Sequence, residues 1–364
     1  MNKTKAVIFF LFLLMQQFSF AQQKLKVIIC GLSHDHVNGT LAKNKTGDII
    51  IIAIAEPDQQ LCNRMKAEYK LPDSIFYKNL SAALQKTKPD LVMVYNAPSD
   101  HLAAIETCMP LKIPVMLEKP LCFFNTEATK IKMLSEKYNT KVFTNYPSIW
   151  YTSFMELLRR INEKNEIGFI NKMEMHGGHV GPIEIGCSKD FTNWLTDPAK
   201  NGGGALTDFG CYGASIITAL MKDKTPLSVY AITKHTKPKT YPKADDDATI
   251  VLEYADATGI IEASWNWPYT IMDVEAYGTK GYLYASQFNT SGTEPLLQSK
   301  NEKLSKMENI SIPQYKNEVE YLTAVIKNGA PDNNKLLSLE HNIIVVKILD
   351  AARRSAKNGK KALL

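Results

Sequence analysis

Between Lys24 and Thr144, short runs of β-branched residues alternate with amphipathic stretches. That rhythm restricts the chain to repeated strand–helix–strand units around a parallel sheet. The spacing predicts strands at Leu25–Cys30, Ile49–Ala55, Leu91–Tyr95, Val115–Leu117 and Val142–Thr144. Between them it predicts helices at His36–Lys43, Gln59–Glu68, Leu80–Lys86, His101–Cys108 and Thr126–Tyr138. A run such as IIIIAIA has no polar face, so both sides of its sheet must be covered by helices. A doubly wound α/β domain over residues 24–145 follows.

After Tyr146 the pattern changes. A helix at Ser153–Glu163 leads into strands of strict alternation: Ile170–His176, Ser228–Lys234, Ala248–Tyr254, Gly259–Trp265, Ile271–Tyr277 and Tyr282–Ala285. Period-two alternation with turn residues such as Asp256-Ala257-Thr258-Gly259 fits a large, mostly antiparallel sheet with one covered face. Two closing helices, about Asn317–Asn328 and Ser338–Lys357, are long enough to pack back on the first domain. The 364 residues therefore divide into two domains, with the second spanning 146–364.

Composition narrows the partners. The net charge of +6 comes from lysines spread along the chain, without a basic block interleaved with aromatics, so nucleic acid is not an expected partner. Six cysteines form no C-x-x-C pair and no metal-like spacing, and they read as buried thiols with no metal expected. At the N-terminus, Lys3 and Lys5 precede the apolar run Ala6–Met15, and Ser19-Phe20-Ala21 supplies the small residues of a cleavage site. Residues 1–21 thus read as a signal peptide, giving a periplasmic or secreted product. The run is shorter than the roughly 20 residues that span a bilayer, so no stable membrane association is expected.

The first strand turns into the first helix through VIICGLSHDHV. There a dinucleotide fold lets backbone N–H groups meet a pyrophosphate, with glycine allowing close approach. Gly31 holds the first glycine position, while Ser33 and His36 stand where the second and third would be. Glu56 ends the second strand, where a carboxylate accepts ribose hydroxyls and repels a 2′-phosphate, favouring NAD over NADP.

The stretch from Leu91 to Leu121 contains Asn96-Ala97-Pro98-Ser99-Asp100-His101 after one strand and Glu118-Lys119-Pro120 after the next; NGGGALTDFGCYG follows at Asn201–Gly213. With these ordered motifs the chain resembles the Gfo/Idh/MocA family of sugar-type oxidoreductases from Lys24 onward. The resemblance implies a Rossmann cofactor domain, with Gly31, Leu32, Ser33, His34, Glu56, Asn96, Ala97, Pro98, His101, Glu118 and Lys119 at the cofactor. It also implies Lys119 beside the nicotinamide and the reacting carbinol, before a proline that is often cis. Many members carry a histidine four residues after the aspartate of the second motif; here Asp208 is followed by Tyr212. That resembles the branch with glucose–fructose oxidoreductase, xylose dehydrogenase and dimeric dihydrodiol dehydrogenase, where tyrosine handles the proton. On this reading the Lys119 cation favours the Tyr212 phenolate and Asp208 orients either partner. Leu195 replaces an arginine that many relatives carry after the tryptophan at Trp194.

Asn145, Tyr146, Trp150, His176, His179, Trp194 and Asp208 are the expected substrate contacts, since imidazole and aromatic faces suit hydroxyl-rich rings. His176 and His179 are expected to line one pocket, and as a lone pair they give no reason to expect a metal. The expected activity is hydride transfer between bound NAD and a carbinol of a sugar derivative, in a homo-oligomer assembled through the second sheet. Two alternatives stand beside it: a redox-neutral enzyme that cleaves glycosides by oxidation and elimination, and a non-catalytic sugar-binding protein on the same fold. If the N-terminal reading is right, mass analysis of the mature protein finds Gln22 at its N-terminus; a membrane-bound product retaining Met1 contradicts it.

Overall fold

The structure, a computed structural model, describes residues 24–286, 296–300, 303–306 and 314–364. The signal-peptide reading falls on residues outside these. Six parallel strands form the first sheet: β1 (Leu25–Cys30), β2 (Ile49–Ala55), β3 (Phe76–Tyr77), β4 (Leu91–Val94), β5 (Val115–Glu118) and β6 (Val142–Asn145). Their order is β3-β2-β1-β4-β5-β6. Every residue of β4, β5 and β6 is buried, including the polar residues Glu118, Thr144 and Asn145 that end β5 and β6. The order reverses between β1 and β4, which opens a crevice at the carboxyl ends of the strands. Gly31, Asn96, Glu118 and Asn145 all lie along that crevice because each ends or follows a strand.

The second sheet contains β7 (Ile170–Gly178), β8 (Ser228–Lys234), β9 (Asp247–Glu253), β10 (Thr258–Ser264), β11 (Ile271–Gly278), β12 (Gly281–Ser286), β13 (Leu296–Lys300), β14 (Lys303–Lys306) and β15 (Ala362–Leu363). They run in the order β14-β13-β12-β11-β7-β10-β9-β8-β15. Among these neighbours β7 and β10 pair parallel, and the rest pair antiparallel. The alternating burial of β9 and β10 puts one face under helices and leaves the other open. The covering helices are Gly210–Leu220 and Leu339–Asn358.

Several elements had no readable signal. β3 and β15 have two residues each, too short for a period. Helix Gly210–Leu220 is buried at ten of its positions, so it carries no polar face to mark helical periodicity. Helix Glu318–Lys327 lies against β1, and Leu339–Asn358 spans from β8 to helix Asn125–Tyr138. One continuous apolar core therefore runs from Val27 and Ile54 in the first sheet to Ile261 and Leu349 in the second half. The six cysteines are free thiols, five of them buried.

One buried relay resembles a hydrolase triad. Ser215 Oγ lies 3.0 Å from His341 Nε2, and His341 Nδ1 lies 2.6 Å from Asp223 Oδ1. Ser215 and His341 are each 1% exposed, so no substrate reaches the hydroxyl. The chain of bonds ties the two covering helices together. Between those helices sits the fully buried Leu349. Leu349→Ala is expected to cost about 2–5 kcal/mol of stability through lost burial and the residual cavity. Urea unfolding measures this directly.

Candidate active site

At the end of β1 the chain turns at Gly31, with φ +84°. A Cβ there would lie 2.8 Å from Asn96 Cβ and 2.9 Å from the Asn96 backbone nitrogen, so only glycine fits between the ends of β1 and β4. The lost second and third glycines leave a different turn from the common one. His34 is buried, and its Nδ1 accepts the N–H of His36 at 3.2 Å, which folds the imidazole over the start of helix Val37–Thr46. The ring packs 4.5 Å from Phe191 and 5.5 Å from Trp194. Trp194 is thus placed at the cofactor turn and not in the substrate cleft, a correction to the sequence reading. Its indole follows from helix Lys189–Leu195, whose buried side faces that turn.

Glu56 is buried at the end of β2. Its Oε2 accepts the Leu32 N–H and its Oε1 accepts the Asp58 N–H, both at 2.9 Å. Burial pushes its carboxyl pKa up against the pull of those bonds. Ala97 and Pro98 are buried in the turn after β4. His101 bonds the Leu121 carbonyl at 3.1 Å through Nδ1, so it braces the segment after Pro120. Asn96 Oδ1, His34 Nε2 and His101 Nε2 are buried without partners. Unpaired buried polar atoms, beside a backbone crease that excludes a Cβ, fit a polar dinucleotide.

The chemistry-bearing groups meet at the carboxyl ends of β5 and β6. Lys119 and Pro120 are joined by a cis peptide. Lys119 Nζ donates to Asp208 Oδ1 at 2.6 Å, and Trp265 Nε1 donates to Asp208 Oδ2 at 3.0 Å. Lys119 Nζ also sits 4.9 Å above the ring of Tyr212, so it meets the aromatic face. Lys119, Asp208, Tyr212 and His179 line one cleft of about 280 Å³ with Phe191, Phe209 and Tyr151. Glu118 accepts from Asn145 Nδ2 at 3.3 Å and lies 3.0 Å from His36 Nδ1. Trp150 Nε1 donates to Asn145 Oδ1 at 3.0 Å. These residues border an adjoining cleft of about 430 Å³. Tyr146 is fully buried, edge-on to Tyr212 at 5.6 Å, so it packs behind the cleft.

The glycine run explains how Asp208 reaches its place. A Cβ on Gly204 would lie 1.8 Å from the Asp245 carbonyl oxygen. Asp245 then holds the backbone N–H groups of Gly204 and Leu206 at 2.7 Å each, starting the short helix Ala205–Asp208. Neither Asp245 nor Trp265 was singled out from sequence. Their roles depend on loops far apart in the chain.

His176 is a third correction to the expected substrate contacts, after Trp194 and the fully buried Tyr146. On β7 it alternates with Met175 and Gly177, so it points to the open face of the sheet. There its Nδ1 lies 2.7 Å from Asp273 Oδ1. Of the two, His179, past the strand end, is the one that enters the cleft, which His36 also borders.

Residues 25–146 match the family model described as an oxidoreductase family with an NAD-binding Rossmann fold, and residues 155–284 match the GFO/IDH/MocA C-terminal domain. The chain belongs to the Gfo/Idh/MocA family. It is an NAD-binding oxidoreductase of that family. Trans-1,2-dihydrobenzene-1,2-diol dehydrogenase of Xenopus laevis is 20% identical over 310 residues, covering 83% of this chain and 88% of the relative. A dihydrodiol dehydrogenase was among the proteins that Tyr212 in place of histidine made this chain resemble. Aldose-aldose oxidoreductase from Caulobacter crescentus, solved with glycerol, superposes with a TM-score of 0.78 at 18% identity, over 94% of this chain and 100% of that one. An inositol dehydrogenase homolog from Azotobacter vinelandii, solved with NAD+, gives a TM-score of 0.77 at 15% identity, over 94% and 98%.

Protonation in this Gfo/Idh/MocA cleft differs from the sequence expectation. Burial opposes the Lys119 charge, but the Asp208 carboxylate more than compensates and holds its pKa well above the ordinary lysine range. For Asp208 burial likewise pushes up, and Lys119 brings the carboxyl below its usual value. Tyr212 goes the other way: burial drives its pKa well above the phenol range, and the Lys119 cation offsets only part of that. The resting group is therefore the neutral phenol, not the expected phenolate. Burial lowers the His179 pKa, leaving a neutral imidazole at neutral pH. Its Nδ1 accepts the Gly181 N–H at 2.9 Å, which puts the ring proton on Nε2.

Replacing Asp208 by asparagine leaves the Lys119 ammonium buried without its counter-charge, a loss of about 3–5 kcal/mol. Burial alone then depresses the Lys119 pKa below its unfolded value, so the unfolded state binds more protons. In urea titrations between pH 7 and pH 10, Asp208→Asn should gain stability relative to wild type as pH rises. A constant difference across that range would show that the pair carries no such linkage.

Proposed function

We propose that this chain transfers a hydride between bound NAD(H) and a carbinol carbon of a sugar or polyol. The observation that carries the reading is the single cleft in which Lys119, Tyr212 and His179 converge next to the Gly31 turn. NAD, when bound, supplies the hydride acceptor or donor. The backbone at Gly31–Ser33 would receive its pyrophosphate and Glu56 its adenosine ribose. The Glu56 carboxylate disfavours a 2′-phosphate, which makes NADP the weaker ligand.

The chain's own groups then manage the oxygen. Lys119 N–H, Tyr212 O–H and His179 Nε2–H are all donors in the resting state, so the cleft is set to hold and protonate a carbonyl oxygen as hydride reaches its carbon. In the opposite direction Tyr212 can take the hydroxyl proton only as the phenolate, so the phenol first releases its own proton to solvent, with the Lys119 cation lowering the cost of that ionisation. Asp208 stays on Lys119 and Trp265 and orients the ammonium.

A second reading is favoured by the aromatic cover over the turn, where His34 packs against Phe191 and Trp194. A cofactor held beneath such a cover suits a redox-neutral cycle. Oxidation at one sugar carbon acidifies the neighbouring C–H, elimination releases the aglycone, and the hydride returns. An exported enzyme, as residues 1–21 suggest, would also benefit from a cofactor that does not exchange.

Product analysis with glycosides and free sugars separates the readings. Net NADH marks a dehydrogenase, aglycone without NADH marks the redox-neutral cycle, and neither product marks a binding protein. In either enzyme, Tyr212→Phe should lower turnover by about 10²–10⁴-fold. NAD affinity, followed by fluorescence titration, should stay near wild type. A Tyr212→Phe enzyme with normal turnover would make the tyrosine a packing residue and leave His179 as the proton donor.

A further inference from the structure

At the head of helix Val37–Thr46, three side chains with metal-binding donor atoms converge. One ring nitrogen each from His34 and His36, and a carboxylate oxygen of Glu118, lie within 4.8 Å of one another. A phosphate-binding turn works best with small residues that let backbone come close. Two imidazoles there need a reason of their own.

We propose that His34, His36 and Glu118 form a binding site for a divalent transition-metal cation of the zinc, manganese or iron(II) class. Two imidazoles and one carboxylate are the donor set such ions take, with the remaining positions left to water or a ligand oxygen. Donors around a tetrahedral ion with bonds of about 2.0–2.1 Å sit roughly 3.3 Å apart. His36 Nδ1 and Glu118 Oε2 are already 3.0 Å apart, so a small outward shift admits an ion between them. His34 Nε2 is buried without a partner, and the Nδ1 contact to the His36 N–H is long at 3.2 Å. Ligation by this ring therefore displaces at most one weak bond.

The surroundings fit the same role. Glu118 is held by Asn145 Nδ2, and Asn145 in turn by Trp150 Nε1, the outer bonding that fixes a ligating carboxylate. His36 and Glu118 both border the cleft of about 430 Å³, which gives an ion a path in and leaves room for water. The nearby Lys119 charge is paired with Asp208, which reduces its repulsion of a second cation. The expectation of no metal rested on the cysteines and on His176 and His179, which the fold separates; this cluster forms only when β5 brings Glu118 beside the turn after β1.

Chelator-stripped protein, titrated separately with Zn²⁺, Mn²⁺ and Fe²⁺ by calorimetry and checked by elemental analysis after desalting, should hold one equivalent of at least one of these ions. His36→Ala should abolish that binding, and because His36 is partly exposed, the fold should survive, as circular dichroism will show. Asn145→Ala, which frees Glu118, should weaken binding about 10–100-fold. His176→Ala, on the far face of the sheet, should retain the full equivalent. Substoichiometric metal in the wild type, or undiminished binding by His36→Ala, overturns the proposal. The titration uses neither NAD nor substrate, so metal without NAD binding refutes the proposed function alone, and NAD without metal binding refutes this site alone.

Discussion

The buried pair of Lys119 and Asp208 is the contact on which the site depends. Its two charges come from different halves of the chain, one from the end of β5 in the parallel sheet and one from the glycine-rich segment after β7. Each would be costly to bury alone, because desolvation penalises the charged form of both. Together, and with the Trp265 N–H filling the second carboxylate oxygen, they keep their charges out of water. An ion pair of this kind contributes little net stability over an apolar contact, but separating it is expensive. It therefore fixes how the two halves meet.

That constraint sets the chemistry. Tyr212 lies one helical turn beyond Asp208, so placing the carboxylate on Lys119 also places the aromatic ring beneath the ammonium. The ammonium tempers the phenol without ionising it, because burial is the larger effect. His179 enters from the end of β7 with its proton turned to the same space. The result is a cleft lined by Lys119, Tyr212 and His179, whose two carboxylates are already committed, Asp208 to Lys119 and Trp265 and Asp35 to the Ser188 N–H.

The cofactor end is closed more tightly than its sequence suggests. Ser188 N–H donates to Asp35 Oδ2 at 2.9 Å, Arg64 pairs with Asp190, and Phe191 and Trp194 cover His34. Three kinds of contact thus draw one segment of the second half over the turn after β1. Side chains in place of glycines reduce how closely backbone can approach a ligand there, while they add imidazole and aromatic surface that glycines lack.

The sequence by itself determined the architecture and the location of the crevice. Apolar runs without a polar face could only be interior strands of a covered sheet, and strict alternation after Tyr146 could only be a half-covered one. Motifs at strand ends therefore had to gather at one edge, and Gly31, Glu56, Asn96 and Lys119 do. Tertiary structure alone decided which side chains share a space and in what charge state. Strand alternation turned His176 to the far face toward Asp273 and left His179 in the cleft. A helix without a polar face hid Tyr212 from any periodic signal of its depth, and that depth is what keeps its phenol neutral. Trp265 and Asp245 reached Asp208 across loops distant in sequence, and β5 carried Glu118 to His34 and His36. Local pattern reports which face of an element is wet, but burial and pairing between distant elements are sums over neighbours that no local window contains.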